Sequence, residues 1–347
     1  VPLDVERRAT RGSPVRVLSE ISRSLERVTG TAHYGVSDEG TLVYAAPFGA
    51  SSHLTWFDRS GNRLATVGEP MIVQNFTLSP DESRLAVNRG AGEALSIWIT
   101  DLERGVSTEL VPSSFADYVI DPVWSADSQR VAFTSPRDRR VFTVPAGGGQ
   151  PVLLSRLPGE WSAVSEAWSP DGRFLAALVI DDKTRGAIVP LDVDQTPIVF
   201  DEAVRIDELR FSPDGRWLAY NADRAGSGME VFVVPCPPTG ERVQVSVAGG
   251  SQAHWRRDGR ELFYLSMEGT LMSVSIDTTS GFSAAAPVPL FDTGILVDTG
   301  LDQYAVTGDG QRFLIASPVL DGRNDSTGRI VVVLDWFEEL KRLAPVP

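Results

Sequence analysis

With one cysteine in 347 residues, Cys236, the chain holds no internal disulfide and no zinc site built on paired thiolates. Histidine is nearly as scarce: His33, His53 and His254 are the only three, and no two have metal-pair spacing. No apolar run approaches the ~18 residues a membrane helix needs. Positive charge is also short, 32 Lys plus Arg against 46 Asp plus Glu, for a net charge of −14. An acidic surface repels phosphate backbones, which argues against nucleic acid as a partner. The Gly-x-Ser-x-Gly nucleophile elbow, the Gly-x-x-x-x-Gly-Lys phosphate loop and the kinase catalytic motifs are all missing. The expectation is a chain without catalytic constellation, metal or cofactor. Val1 opens the sequence with no signal-peptide pattern behind it, as in a processed product or an excised piece.

What is present is a repeat. Ser-Pro-Asp-Gly occurs in full at Ser169–Gly172 and Ser212–Gly215, with degenerate copies around Glu39, Asp81, Asp127, Asp258 and Asp309. Successive anchors are 42, 46, 44, 43, 44 and 51 residues apart, a period typical of propeller blades. The copy from Asp207 to Gly250 shows the unit. Leu209 to Ser212 reads as a strand; Pro213 presets φ, Asp214 can accept backbone N–H bonds, and Gly215 tolerates φ > 0. Trp217 to Asn221 returns, Glu230 to Pro235 is a third strand, and Arg242 to Val247 alternates as a half-exposed edge should. Third strands elsewhere are Leu54 to Asp58, Leu95 to Asp101, Val141 to Pro145 and Leu271 to Ile276. Fourth strands include Arg63 to Val67, Pro151 to Ser155 and Thr196 to Phe200. No stretch is long enough for a βαβ crossover, so the sheets should be antiparallel meanders.

The fold expected is all-β: a seven-bladed propeller of four-stranded antiparallel blades, one domain over residues 1–347. Within it, 1–30 form a closing strand and linker, 31–336 the repeats and 337–347 a tail. The last copy supplies Gln303 to Thr307, Arg312 to Ser317 and Ile330 to Leu334, and lacks a fourth strand. Residues 1–18 align without a gap to 274–291, so the N-terminus can provide it, Val15 to Ser19 pairing with Ile330 to Leu334 and removing the open edge. Val1 to Asp4 is a rival third strand, less β-branched than Ile330 to Leu334. Glu338 to Leu343 and Ile21 to Val28 are helix candidates.

Two residues before the proline slot each copy has a large apolar residue (Val36, Leu78, Trp124, Trp168, Phe211, Trp255, Val306), expected between blades rather than as a ligand platform. Three residues earlier all seven are polar: His33, Asn75, Asp121, Ser165, Glu208, Gln252 and Gln303. First strands are innermost, so these should ring one mouth of the central channel. Glu166 and Asp207 nearby would make that mouth acidic and favour a cationic guest. The turn carboxylates lie one per copy, and local turn stabilisation accounts for them better than calcium does.

The wording Ser-Pro-Asp-Gly-Arg-x-Leu-Ala resembles the repeats of the TolB propeller domain, which are WD-repeat-like. Over nearly the whole chain the sequence resembles the propeller region attached to bacterial eukaryotic-like serine/threonine kinases. The resemblance rests on Leu54 to Gly61, Phe211 to Tyr220, Gly249-Gly250-Ser251, Arg257 to Tyr264 and Val332 to Phe337. It implies a monomeric, non-enzymatic recognition, sensor or scaffold module downstream of a kinase domain, on the extracytoplasmic or periplasmic side. Its partner would be a protein, a peptide or a small polar or cationic ligand. Alternatives are a propeller-fold hydrolase or lyase and a free-standing TolB-like periplasmic interaction protein.

Overall fold

In a computed structural model, the five repeats anchored from Asp81 to Asp258 are meanders whose alternate side chains serve two different seams. The structure describes residues 3–4, 9–10, 34–45, 52–91, 94–116, 119–158, 162–181, 183–192, 195–200, 205–223, 226, 228–318 and 330–343. The chain divides into two compact units, Ser51–Val319 and the two flanking segments Val1–Ala50 with Leu320–Pro347.

Within Ser51–Val319 the six copies anchored at Asp81, Asp127, Asp171, Asp214, Asp258 and Asp309 each form an antiparallel sheet of four or five strands. Their first strands are Val73–Leu78, Ile120–Trp124, Ser162–Trp168, Arg205–Phe211, Ser251–Trp255 and Tyr304–Val306. Each touches the next in this order, and the last touches the first. The cycle is therefore complete over six sheets, a radial arrangement that leaves only short edges.

The core sits in the seams. Along Trp217–Asp223, Leu218 and Tyr220 pack into the cluster shared with the Asp171 sheet. Ala219, between them, packs into the cluster shared with the Asp258 sheet. Period-2 alternation thus divides each strand between neighbours, and six such clusters fill the six seams. Trp124, Trp168, Phe211 and Trp255 all lie in these clusters or against them, as their repeated position implies.

The closing sheet corrects the strand assignment made from sequence. Ser52–Asp58 and Arg63–Met71 are not the outer strands of the first copy. They complete the sheet of the last, where Arg312–Pro318 pairs with Ser52–Asp58 from Arg312↔Asp58 to Pro318↔Ser52. Leu54 and Leu314 then share one cluster with Phe76, Leu85 and Val87 of the Asp81 sheet. An N-terminal strand does join the C-terminal blade, but it comes from residue 52 onward. The proposed closing strand Val15 to Ser19 lies outside the described residues, as does Ile21 to Val28.

In the other unit, the Glu39 copy supplies Tyr34–Val36 and Leu42–Ala45, and Ile330–Val333 pairs with Leu42–Ala45 rather than with the last copy. Among the described residues this makes seven sheets of three or more strands, one for each repeat. Leu3–Asp4 pairs with Ala9–Thr10 in a short hairpin. Trp336–Leu343 is helical, acidic in its first turn and basic in its last, which suits the helix dipole. The Trp336 N–H donates to the Gly40 carbonyl at 2.7 Å.

Candidate functional site

The first strands of Ser51–Val319 are irregular where the polar residues fall. Their pairing shifts register between Val73 and Phe76, Ile120 and Val123, Ser165 and Ala167, Asp207 and Leu209, and Ser251 and His254. Such bulges turn a strand and re-aim its side chains. Asp121, Glu208 and Gln252 take positive φ of 52°, 50° and 59°, a conformation that costs non-glycine residues about 1–3 kcal/mol each. Strain repeated at the same place in three sheets marks a constrained site rather than an accident of one loop.

Six of the seven polar positions are described, and neighbouring sheets tie them together; His33 lies outside the described residues. Asn75 Nδ2 donates to Asp121 Oδ1, and Asn75 Oδ1 accepts the Asp302 N–H at 2.8 Å. Gln252 Nε2 donates to Gln303 Oε1 at 2.9 Å while the Gln303 N–H donates to Gln252 Oε1 at 2.8 Å. The Ser165 and Thr134 hydroxyls are hydrogen-bonded at 2.6 Å, and Glu208 Oε2 accepts from Asn221 Nδ2 at 3.1 Å. Ser165, Glu208 and Gln252 are buried. The positions therefore form bonded pairs and strand-to-strand links around the axis.

Arg210, absent from the sequence expectation, occupies the middle. Its Nη2 contacts both Asp302 oxygens at 2.6 Å, and its Nη1 donates to the Glu166 carbonyl at 2.9 Å with Glu166 Oε2 at 3.6 Å. It reaches Asp302 past the intervening Asp258 sheet, so the link is a chord across the cycle. Around this one guanidinium stand Asp121, Glu166, Asp207, Glu208 and Asp302; Asp207 also has Arg205 Nε at 2.7 Å. Carboxyl groups outnumber the guanidinium in this buried space.

Protonation follows from that imbalance. Burial, then repulsion from Asp121, raises Glu166 well above the usual carboxylate range, and burial with Asp302 does the same to Glu208. Burial works against the Arg210 charge, but Asp302, Glu166 and Glu208 outweigh it and hold the guanidinium charged. Burial, reinforced by Arg210, pushes His254 down to about 4, so the imidazole is neutral at pH 7 despite Asp302 at 4.0 Å. Among the described residues, Glu208 Oε1 and Asn221 Oδ1 are buried acceptors without a hydrogen-bond partner. Burying such groups unpaired is costly, and an N–H-bearing cation would satisfy both.

At the other end of the same strands, the repeated turns do what their spacing implies. In all six sheets the Asp Oδ1 accepts a hydroxyl from the Ser or Thr two residues before it, or its counterpart Arg256 donates instead. The same oxygen accepts the backbone N–H two residues on at 3.0–3.1 Å. Each carboxyl is held below its usual range by these bonds, opposed in part by desolvation. These aspartates bond within their own turns. Among the described residues, no cluster of three His, Cys, Asp or Glu side chains has metal-binding geometry.

Comparison with known proteins agrees with this architecture. No family model matches the chain. It is 30% identical over 202 residues to the uncharacterized protein Atu1656 of Agrobacterium fabrum, a match covering 55% of this chain and 64% of that protein. The match thus spans less than two thirds of the relative's length. Among solved structures it is similar to a candidate TolB from Agrobacterium tumefaciens, with a TM-score of 0.57, 19% identity, and coverage of 77% of this chain and 97% of that one. It is also similar to a chain of Kuenenia stuttgartiensis hydrazine synthase, with a TM-score of 0.53, 13% identity, and coverage of 87% and 94%. At these identities the likeness concerns fold alone, and the fold is that of a TolB-like β-propeller. No described helix is long and apolar enough to cross a membrane.

Proposed function

We propose that this chain is a non-enzymatic recognition module that captures a positively charged segment of a protein or peptide at the bulged end of its inner strands. The observation that carries the reading is the excess of buried carboxylates over Arg210, with Glu208 Oε1 and Asn221 Oδ1 lacking donors. Propellers hold many segments on a rigid frame, which suits recognition. Asn75, Asp121, Ser165, Glu208, Gln252 and Gln303 line this end of the strands; His33 lies outside the described residues.

The finer setting we propose is the sensor region of a bacterial serine/threonine kinase, which the resemblance of Leu54 to Gly61 and Phe211 to Tyr220 supports. Reading the gene upstream of Val1 tests that setting directly: a kinase domain agrees, and an unrelated or solitary propeller gene points to a free-standing TolB-like protein. The capture itself is tested by titrating a lysine-rich and an acidic peptide against the protein and its Asp121→Ala/Glu208→Ala variant. Tight binding of the basic peptide, weakened in the variant without a lower melting temperature, is expected. Unchanged binding removes the site from the account.

A second reading rests on one observation. Glu166, Glu208 and a neutral His254 converge around Asp302, the kind of constellation acid–base chemistry uses. Under that reading the Glu208→Gln variant loses turnover of a glycoside or peptide substrate, a loss that recognition alone does not entail.

A further inference from the structure

At the bulged end one carboxyl has hydrogen bonds that fall short by a single donor. Glu208 is 7% exposed and sits in the bulge with a φ of 50°. Its Oε2 accepts from Asn221 Nδ2 at 3.1 Å, and the same Nδ2 donates to Ser251 Oγ at 3.1 Å. A side-chain amide has two N–H groups, so that donor is spent. Glu208 Oε1 and Asn221 Oδ1 remain without a partner, and both can only accept unless the carboxyl holds a proton.

Among the described residues no cation is hydrogen-bonded to Glu208. Arg210 Nη2 is held by Asp302, and its Nη1 donates to the Glu166 and Leu209 carbonyls. Arg205 is engaged by Asp207. The groups that act on Glu208 are Asp302, Glu166, Arg210 and the Tyr304 hydroxyl, with Asp121 and Asp207 acting on Glu166. His254, packed on the Tyr304 ring at 4.6 Å, is neutral at pH 7. Glu166 differs from Glu208 in having the guanidinium 3.6 Å from its Oε2. A carboxylate buried without a bonded counter-ion is costly, whereas a carboxylic acid needs only an acceptor for its O–H. The idle acceptor is on the amide already bonded to Glu208.

We propose that Glu208 rests as the neutral acid, its Oε1–H donated to Asn221 Oδ1, and that capture of a cation at this end expels that proton. Such exchange presupposes the capture proposed above and sets its dependence on pH. The guest meets the cluster at its margin, where the side chains of Arg210, Asp302 and Glu166 are 19%, 17% and 11% exposed. A positive charge there favours ionised neighbours. Glu208 then passes its proton to water, and its carboxylate balances the guest: one cation enters and one proton leaves. Burial, then the Asp302 charge, hold Glu208 well above the usual carboxylate range. Capture therefore tightens as pH rises and levels off where Glu208 ionises without a guest.

The test follows the side-chain carboxyl ¹³C resonance of Glu208 in the intact protein, assigned by its absence from Glu208→Gln. At pH 6 it should lie at the carboxylic-acid position, and saturating lysine-rich peptide should move it to the carboxylate position. Calorimetry in two buffers of different ionisation heat should count about one proton released per peptide. Glu208→Gln, whose amide copies the neutral acid, should release none. Affinity should rise by up to about tenfold per pH unit below the ionisation of Glu208 and stay flat in Glu208→Gln. A carboxylate resonance at pH 6 without peptide overturns the proposal, as does peptide binding with no proton released. Proton release retained in Glu208→Gln overturns the choice of Glu208. Absence of peptide binding sinks the capture reading and the exchange with it, while the resting resonance still decides whether Glu208 is the acid.

Discussion

The two ends of the inner strands are built on opposite rules. At the turn end an aspartate solves the same problem six times, each bonded inside its own four or five residues. At the bulged end the polar residue varies, only Gln252 and Gln303 being alike, and bonds run between sheets: Asn75 to Asp121, Gln252 to Gln303, Arg210 to Asp302. The difference teaches where specificity resides. Repetition builds the frame, and departures from repetition concentrate at one end.

Perturbations should separate these layers by size. The frame is most sensitive where the chain closes. Leu54→Ala removes a side chain 1% exposed in the closing seam and should cost about 2–5 kcal/mol by denaturant unfolding; a loss below ~1 kcal/mol would place Ser52–Asp58 outside the core.

The bulged end should show itself through pH. His254 falls from 6.5 in the unfolded chain to about 4 in the fold. Its contribution is therefore present above pH 6.5 and lost as pH drops toward 4. That contribution amounts to roughly 3 kcal/mol, and His254→Gln should flatten the decline. Glu208 has the reverse sign: its raised pKa means stability is lost as pH rises, so Glu208→Gln should raise the melting temperature more at pH 8 than at pH 5. Equal gains at both values would show that Glu208 is not strained by charge.

Turn changes should be smaller and alike. Asp171→Ala loses the Ser169 hydroxyl and Arg173 N–H bonds, about 0.5–2 kcal/mol if they resemble a helix cap's. Asp127→Ala should match it within a few tenths, because the geometry is the same. Least of all, Lys341→Ala removes an exposed pair with Glu338 and should leave thermal unfolding unchanged.

How much of this was legible in sequence follows the same division. Turns, meanders and the apolar residue before each turn could be read because each is a local arrangement repeated many times. The bulges could not, since a bulge is a misalignment of two strands and leaves no fixed residue signature. Arg210 and Asp302 went unnoticed because their meeting depends on how the cycle closes, and a period carries no information about closure. A signal for the cross-links did exist. Seven residues after the turn aspartate, Asn88, Thr134 and Asn221 are polar in otherwise apolar strands. Asn88 and Thr134 accept the bulge N–H groups of Asp121 and Ser165 in the next sheet at 2.9 and 3.0 Å. The exchanged outer strands of the last copy were misassigned because proximity in sequence favoured the Glu39 copy, whereas packing of Leu54 against Leu314 and Phe76 decided the matter.

The direct test of the closing sheet is a pair of cysteines at His53 and Ser317, which face each other in the register of Ser52–Asp58 and Arg312–Pro318. With Cys236→Ser in the background, mild oxidation should link His53→Cys to Ser317→Cys within one chain and raise the melting temperature. A pair that stays reduced while the protein is folded, or that links only between molecules, would show that the ring is closed by other strands.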